Sequence, residues 1–315
     1  MRADRFKVIT VESDFGAGKK GAAKGPQALL QELQDANFSA FDVFNYTRLV
    51  PHEVPEKEET PTAKNIENIK NFQEKIVEHI QDILRLQKIP FILSGDHSSA
   101  NALISGIKDF YANARIGVIW IDAHADLHSP YTTPSGNIHG MPIAALMGDD
   151  HREMAKNDPK EITKNLWETL KKLGRRRITP KIQGRDIVFI ALRSTEEEEE
   201  KIIAKEGIKA FRPNDIEQLG IEAVAFQTLT HLNNCQYIYI SFDVDSLDTQ
   251  YSVGTGTPVE NGLTLKQAHY LLRTFCNSDK LAGMEITEIN PTLDDERPMQ
   301  HIIKTLVVDT FKVTA

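Results

Sequence analysis

Residues 116–126 read Ile-Gly-Val-Ile-Trp-Ile-Asp-Ala-His-Ala-Asp, an apolar run of buried-strand length that ends in three ionisable side chains. Alternation along an extended chain points Asp122, His124 and Asp126 to one side of the strand end. Burying even one carboxylate without a partner costs several kcal/mol, so a positive group must meet these side chains. Two carboxylates around an imidazole suit a divalent metal ion, and a solvated strand end with scattered charges is the alternative.

Two other apolar runs end in the same way. Residues 91–93 lead into Ser-Gly-Asp-His-Ser, and residues 237–240 lead into Ser-Phe-Asp-Val-Asp-Ser-Leu-Asp. Because the carboxyl ends of parallel strands lie at one edge of a sheet, the three ends can converge. Four negative charges match two divalent cations, and oxygen-rich ligation without sulfur favours manganese over a structural zinc. The candidate metal ligands are four carboxylates and two imidazoles: His97, Asp122, His124, Asp126, Asp243 and Asp245.

Composition narrows the class of protein. The chain has 315 residues, of which 40% are hydrophobic, and this length can bury a large α/β core. Its net charge of −8 argues against nucleic acid as a main partner. Cys235 and Cys276 are far apart and imply no disulfide framework. Residues 1–10 lack a signal-peptide core, and no stretch approaches a membrane span. We therefore expect a cytoplasmic protein without nucleic-acid or membrane partners.

Apolar periodicity predicts strands that alternate with helices along the whole chain. No internal repeat or long linker interrupts this alternation, so we expect one domain over residues 1–315, with a parallel sheet covered by helices on both faces. The basic run 171–181 is most simply a solvated surface, with anion binding as a minor alternative. The expected strands cover residues 7–11, 41–46, 91–93, 116–121, 186–192, 237–240, 281–289 and 305–311. The expected helices include residues 64–87, 98–110, 142–148, 160–172, 221–232 and 263–275.

The three motifs together resemble the signatures of a known enzyme family. Gly-Asp-His-Ser at 95–98, Asp-Ala-His-Ala-Asp at 122–126 and the motif at 241–248 resemble those of the ureohydrolases, the arginase and agmatinase family. The resemblance covers nearly the whole chain in the right order. It implies the arginase/deacetylase fold, a three-layer α/β/α arrangement around an eight-stranded parallel sheet. It also implies assembly into a homotrimer or homohexamer.

The resemblance further implies two Mn²⁺ ions per subunit that share a bridging hydroxide as nucleophile. His97 and Asp126 would hold one metal, while His124 and Asp245 would hold the other. Asp122 and Asp243 would bridge the pair. Groups that orient the two imidazoles must exist, but the sequence does not identify them.

Two further residues take family roles. His139 matches the family's proton shuttle, and an imidazole can donate a proton to an amine leaving group near neutral pH. Its structural alternative is a helix-start residue with a satisfied ring. Glu288, the glutamate before Asn290-Pro291 in the strand-end segment, matches the carboxylate that holds the guanidinium. Glu285 lies deeper in the strand and is the weaker candidate; an ion pair with an arginine is the structural alternative for both.

The loop at residues 128–137 resembles the arginase form of the segment that discriminates substrates. In that form Thr133, Ser135 and Asn137 grip an amino-acid carboxylate, and an acidic residue meets the α-amino group. Three positions depart from the usual pattern: this chain has His128 where the family usually has Asn, Glu196 where it has Asp, and Thr249 where it has Pro. The complete set of substrate-binding candidates is His128, Thr133, Ser135, Asn137, Glu196, Glu199, Thr257 and Glu288.

These observations favour a binuclear manganese hydrolase that cleaves the guanidinium group of L-arginine to L-ornithine and urea. A second hypothesis keeps this chemistry with agmatine or with a guanidino acid as the substrate, since His128 and Glu196 leave the substrate geometry open. A third is a catalytically silent metal-binding protein of the same fold; the presence of all six ligands disfavours it. A mononuclear zinc deacetylase of the related fold is disfavoured by the second Asp-x-Asp set.

Overall fold

Eight parallel strands form one sheet in the computed structural model, which describes residues 5–52, 54–55 and 59–312. In chain order the strands are β1 (Phe6–Val11), β2 (Thr47–Leu49), β3 (Ile89–Ser94), β4 (Ile116–Ile121), β5 (Ile187–Ile190), β6 (Lys209–Phe211), β7 (Tyr237–Asp243) and β8 (Leu281–Thr287). Their order across the sheet is β2-β1-β3-β8-β7-β4-β5-β6. The predicted α/β class with an eight-stranded parallel sheet is confirmed.

Helices cover both faces of the sheet. They are α1 (Gly25–Asp35), α2 (Ile66–Arg85), α3 (Ala100–Phe110), α4 (Pro142–Met147), α5 (Glu161–Lys171), α6 (Glu197–Glu206), α7 (Pro213–Leu219), α8 (Ile221–His231), α9 (Leu265–Cys276) and α10 (Met299–Phe311). Helices α2 to α6 pack on one face, while α1 and α7 to α10 pack on the other. Alternate residues of β4 enter the two core clusters, Val118 and Trp120 on one face and Ile119 and Ile121 on the other.

The second helix shows why the apolar spacing was informative. Ile69, Phe72, Ile76, Ile80 and Ile83 recur at helical intervals and are buried, which matches the helix predicted over residues 64–87. Each such side chain contributes about 1.5–3 kcal/mol on burial. No helix in the described part of the chain combines the length and apolar character that crossing a bilayer requires.

The strand predicted over residues 41–46 is wrong. Phe41 and Val43 are buried in the core, but the backbone turns because the Asp42 carboxylate accepts bonds from the amides of Phe44 and Asn45. The strand that pairs with β1 on its outer side is β2, which begins at Thr47. Alternating apolar residues here reflect core packing rather than sheet pairing.

The strand predicted over residues 305–311 is also wrong, because this segment is the second half of α10. The valines favoured a strand, but Ile303, Leu306, Val307 and Phe311 are buried at helical spacing. The missing strand of the sheet is the edge strand β6, whose three residues carry too short a pattern to be recognised. Two other strands are shorter than predicted. The strand expected over residues 186–192 is β5, and the one expected over residues 281–289 is β8.

The four central strands, β3, β8, β7 and β4, position the candidate site. Strands β3 and β4 are consecutive in the chain but lie on opposite sides of β7 and β8. A parallel sheet opens a crevice at the carboxyl ends of its strands where the order switches in this way. His97 follows β3, Asp122 follows β4, Asp243 ends β7 and Glu288 follows β8.

Gly95, just after β3, forms backbone hydrogen bonds to the ends of β1 and β8. Its amide donates to Val11 O at 2.9 Å, and its carbonyl accepts from the amide of Glu288 at 2.8 Å. A Cβ at this position would lie 2.0 Å from Ser13 O, a backbone atom that cannot move independently. The approach of β1 to β3 therefore requires glycine here.

We predict that Gly95→Ala lowers the free energy of unfolding by about 1–3 kcal/mol, because the added methyl overpacks against backbone. Urea denaturation of both proteins measures this difference. Gly140→Ala is the matched control, since a Cβ at Gly140 meets nothing within 4 Å. Equal stability of Gly95→Ala and wild type would contradict the contact.

Candidate metal centre and active site

The six candidate ligands converge in one cluster. His97 Nδ1 lies 3.1 Å from a carboxylate oxygen of each of Asp122, Asp126 and Asp243. His124 Nδ1 lies 3.1 Å from Asp245 Oδ2 and 3.5 Å from Asp122 Oδ1. Two groups of ligand atoms therefore form, one around each imidazole, and Asp122 belongs to both.

Local backbone turns bring alternate side chains to the same point. Asp122 Oδ1 accepts from the amide of His124 at 2.7 Å, and Asp243 Oδ1 accepts from the amide of Asp245 at 2.8 Å. An aspartate that caps the amide two residues on turns the chain at a strand end. Asp126 has a left-handed backbone with φ 51°, which costs on the order of 1–2 kcal/mol in a non-glycine residue.

The charges of this cluster are not balanced by the protein. Burial and the nearby charges of Asp245 and Asp122 raise the pKa of Asp243 well above its usual range. Burial and Asp122 likewise raise the pKa of Asp245. Burial acts in the same direction on Asp122, but the two imidazoles more than offset it, and its net pKa is lowered. Four buried carboxylates cannot all ionise beside two imidazoles without further positive charge.

Unpaired atoms show where such charge fits. His97 Nδ1 and Asp122 Oδ2 are buried and have no hydrogen-bond partner among the described residues. Both atoms face the carboxylate oxygens at the centre of the cluster. The donor set, nitrogen and oxygen without sulfur, suits hard or borderline divalent ions. The residues present therefore fit a pair of divalent metal ions.

Buried neighbours hold the His97 ring in place. The ring stacks on Trp120 with centroids 4.0 Å apart and planes 4° from parallel. Its Nε2 lies 2.7 Å from Ser241 Oγ, which in turn donates to Glu285 Oε1 at 2.7 Å. Ser94 donates to the other oxygen of Glu285. Such outer contacts orient a histidine ligand. No local sequence signal identifies Trp120 and Ser241 as partners. Glu285, the weaker candidate for the guanidinium-binding carboxylate, accepts from Ser94 and Ser241 here.

Arg193 is a second group that the sequence analysis missed. Its guanidinium donates to five backbone carbonyls, those of Ala191, Asp245, Leu247, Val259 and Glu260. These carbonyls belong to three separate segments, so one side chain fastens the loop after β7 to the end of β5. No local sequence signal marks an arginine whose partners are all main-chain atoms.

His139 and Glu288 face each other beside the metal ligands. His139 Nδ1 lies 3.1 Å from Glu288 Oε1, and the same oxygen accepts from the amide of His97 at 2.9 Å. Burial lowers the pKa of His139, but its pairing with Glu288 outweighs burial and raises the pKa to about 9. Glu288 has a left-handed backbone with φ 65°. Strained residues of this kind cluster at functional sites.

A cavity of about 120 Å³ joins the metal cluster to the predicted substrate loop. Thr133 Oγ1 accepts from the amides of Ser135 and Gly136, which fixes the loop turn. Asn137 Oδ1 accepts from Lys64 Nζ at 3.3 Å, so the ammonium of Lys64 lies beside the loop; the sequence analysis missed this residue. The predicted residues that line the cavity are His97, His124, Asp126, His128, Thr133, Ser135, Asn137, His139, Glu196, Glu199, Asp243, Asp245, Thr257 and Glu288. Asp122 lies beneath it and is almost fully buried.

Comparison with known proteins agrees with this arrangement. The model of the Arginase family matches residues 4–312. The chain belongs to the arginase family. It is therefore a hydrolase of carbon–nitrogen bonds in linear amidines.

Members of the family with known structures or curated functions match this arginase-family chain along nearly all of its length. It is 31% identical to the arginase of Brevibacillus brevis over 97% of both chains. Its fold superposes on the arginase of Bacillus caldovelox with a TM-score of 0.83 at 27% identity, over 99% of both chains. The Entamoeba histolytica arginase in complex with L-ornithine also gives a TM-score of 0.83, at 26% identity over 99% of this chain and 100% of that one.

One corner of the cavity carries the two residues that depart from the arginase pattern. His128 Nε2 lies 3.2 Å from Glu196 Oε2 and 4.0 Å from Glu199 Oε2. Its Nδ1 lies 3.1 Å from Thr132 Oγ1. The bond from His128 lowers the pKa of Glu196 to about 2, whereas burial and the Glu196 charge raise the pKa of Glu199. The two departures are thus in contact and form one unit.

Thr257, which was predicted to bind substrate, lines the cavity and also contacts the metal cluster. Its hydroxyl donates to Asp245 Oδ2 at 3.1 Å, so it contacts a candidate metal ligand. Asp245 Oδ1 accepts from the amide of Ala123. Both oxygens of Asp245 are therefore held by protein groups.

Proposed function

We propose that this chain hydrolyses L-arginine to L-ornithine and urea with two manganese ions. The observation that carries the proposal is one cavity that joins the six-ligand cluster, a carboxylate suited to a guanidinium and a loop suited to an amino-acid carboxylate. The family membership fixes the class of reaction, and the lining residues favour this substrate. A site built from these three parts matches both ends of arginine.

Asp122 and Asp243 would bridge the two ions, with His97 and Asp126 on one and His124 and Asp245 on the other. Bound ions of this kind lower the pKa of a water and supply a nucleophile near neutral pH. The unpaired His97 Nδ1 and Asp122 Oδ2 support this assignment. Manganese is favoured because the ligands are oxygen and nitrogen without thiolate.

Glu288 and His139 take the parts of the reaction that involve the guanidinium. The Glu288 carboxylate suits the planar guanidinium through paired hydrogen bonds. Hydrolysis adds water to the guanidinium carbon and breaks its bond to the chain nitrogen, which must leave with a proton. His139 contacts Glu288, and because its pKa is raised to about 9 it holds that proton across the neutral range.

The other end of the substrate meets Thr133, Ser135, Asn137 and the acidic pair Glu196 and Glu199. Two hydroxyls and an amide can donate to a carboxylate, and the nearby ammonium of Lys64 favours the same charge. Glu196 is about half exposed and can accept from an α-ammonium group. Together these groups favour an α-amino acid.

A second candidate substrate is a guanidino acid without an α-amino group. The observation that favours it is the contact between His128 and Glu196 at 3.2 Å. This contact already occupies one oxygen of the carboxylate that would otherwise bind the ammonium. Agmatine, which lacks the carboxylate, would leave the donors of the loop unpaired.

Domain organisation, location and assembly are further proposals. One sheet with helices on both faces supports one domain over residues 1–315. Two buried free cysteines without a disulfide support a reducing compartment, and we propose the cytoplasm. The family resemblance favours a homotrimer or homohexamer, which sedimentation can test.

We predict two divalent ions per chain after reconstitution with Mn²⁺, measured by metal analysis of desalted protein. Asp245→Asn should retain about one ion, because it weakens the group around His124 and leaves that around His97. Glu217→Gln, on the exposed side of α7, is the control and should retain two. A wild-type ratio of one with full activity would refute the binuclear centre.

We predict that His139→Ala lowers kcat on the order of 10²–10⁴-fold while the manganese content stays unchanged. In the wild type kcat should fall above pH 9, because the proton donor is the protonated ring and its pKa is about 9. His301→Ala, a distant histidine paired with Glu32, is the control. An unchanged rate in His139→Ala would make this histidine structural.

The decisive test of the proposed function is kcat/KM for L-arginine, agmatine and ω-guanidino acids on manganese-loaded enzyme. We predict that agmatine is poorer than L-arginine by at least about 10²-fold, because it leaves the carboxylate-binding groups unpaired. Thr133→Val should lower kcat/KM for L-arginine and leave that for agmatine little changed. A preference for agmatine, or equal effects of Thr133→Val on both substrates, would refute the arginase assignment within the family.

A further inference from the structure

A second cavity lies near the amino ends of β4 and β5, whereas the metal ligands lie at the carboxyl ends of the strands. It has a volume of about 240 Å³ and is lined by residues between α3 and the start of β4, and by the segment that leads into β5. The ligand cluster lies at the carboxyl ends of the strands. Because β4 has six residues of about 3.3 Å rise, roughly 20 Å separates the two sites.

Lys181 is the buried wall of this cavity. Lys181 is only 4% exposed. Its ammonium donates to one acceptor, Lys171 O, at 2.5 Å. Within the described residues no carboxylate comes within 4.0 Å of this ammonium. An ammonium has three donors, and burying it without an ionic partner is costly.

The nearest carboxylate cannot become that partner. Asp109 contributes a favourable charge to Lys181, but both of its oxygens are already occupied. They accept from the side-chain amide of Gln81 and from the backbone amides of Arg175 and Arg176. The ammonium of Lys171 is paired with Asp150 and Glu168, so only its carbonyl serves Lys181.

The rest of the lining adds positive charge. Lys108, Arg115 and Arg185 line the same cavity, and Asp186 is its one carboxylate. Asp186 already forms a close ion pair with Arg115. Lys108 donates to the carbonyl of Ala114 at 2.6 Å, and Arg185 has no ion pair within the described part of the chain. Three positive charges are left uncompensated on a chain whose net charge is −8.

We propose that this cavity is a binding site for a small dianionic oxyanion, sulfate or a phosphate group, with Lys181 as its buried anchor. A dianion offers several acceptors to the unused donors of Lys181 and to the cations at the rim. Of the basic run 171–181, Lys181 is the one cation that lines this cavity.

The protonation of Lys181 provides a signature for this site. Burial lowers the pKa of Lys181 to about 7. An anion beside it favours the charged form, so binding near pH 7 takes up a proton. Asp109 of α3 is the charged group that acts on this ammonium, and Lys108, Arg115, Arg185 and Asp186 belong to the lining of the same cavity.

The test is calorimetric titration of the manganese-loaded protein with sodium sulfate at constant ionic strength, with chloride as the balancing anion. Sodium acetate is the second titrant, which separates a tetrahedral dianion from a carboxylate. We expect one sulfate site per chain, at least about tenfold weaker binding to Lys181→Met, and at least about tenfold weaker binding at pH 9 than at pH 7. Acetate should bind at least about tenfold more weakly than sulfate.

Two further variants keep the test decisive. Arg185→Gln changes an exposed residue of the rim and should weaken sulfate binding even if Lys181→Met does not fold. Lys201→Met, an exposed lysine paired with Glu197 outside the cavity, should bind sulfate as the wild type does. Equal sulfate affinity of the wild type and Lys181→Met, including binding at the metal centre alone, would overturn the proposal.

Discussion

The constraint on which this structure depends is the burial of four carboxylates at one point. Asp122, Asp126, Asp243 and Asp245 come from two separate strand ends and approach two imidazoles within about 3 Å. Unneutralised, each buried charge would cost several kcal/mol, and the raised pKa values of Asp243 and Asp245 express that cost. As an ionised set the cluster requires cations to complete it, so we expect metal binding to stabilise the fold.

Holding this geometry also requires strained backbone conformations, which cost free energy of folding. Asp126 and Glu288 both have left-handed backbone conformations, which cost on the order of 1–2 kcal/mol each. Gly95 allows β1 to approach β3 more closely than any side chain would permit. Arg193 offsets part of this by donating to five backbone carbonyls in three segments, among them those of Asp245 and Leu247. The central strands act as a rigid frame, and the strain is concentrated where those strands end.

The parts of the fold and site that were predictable from sequence are those whose signals are local. His97, Asp122 and Asp243 each follow a short apolar run, so strand and ligand are read from the same few residues. The partners of His97 are not local, since Ser241 is 144 residues away and Trp120 lies on another strand. The two wrong strands, at 41–46 and 305–311, fail because apolar alternation and valine content reflect core packing as well as sheet pairing. The pairing of His128 with Glu196 also depends on the folded chain, although both were recognised as departures.

That pairing lies next to Glu199, a residue that supports the backbone of the metal cluster. Glu199, beside Glu196, accepts from the amide of Leu127 at 3.1 Å, and Leu127 follows the strained Asp126. The carboxylate therefore supports the turn that points Asp126 at His97. Glu196 and His128, the two departures, contact each other, and Glu199 keeps its bonds to the amides of Glu196 and Leu127. The amino end of the site can consequently change its chemistry while the metal ligands keep their geometry, which explains how the two departures coexist with an intact cluster.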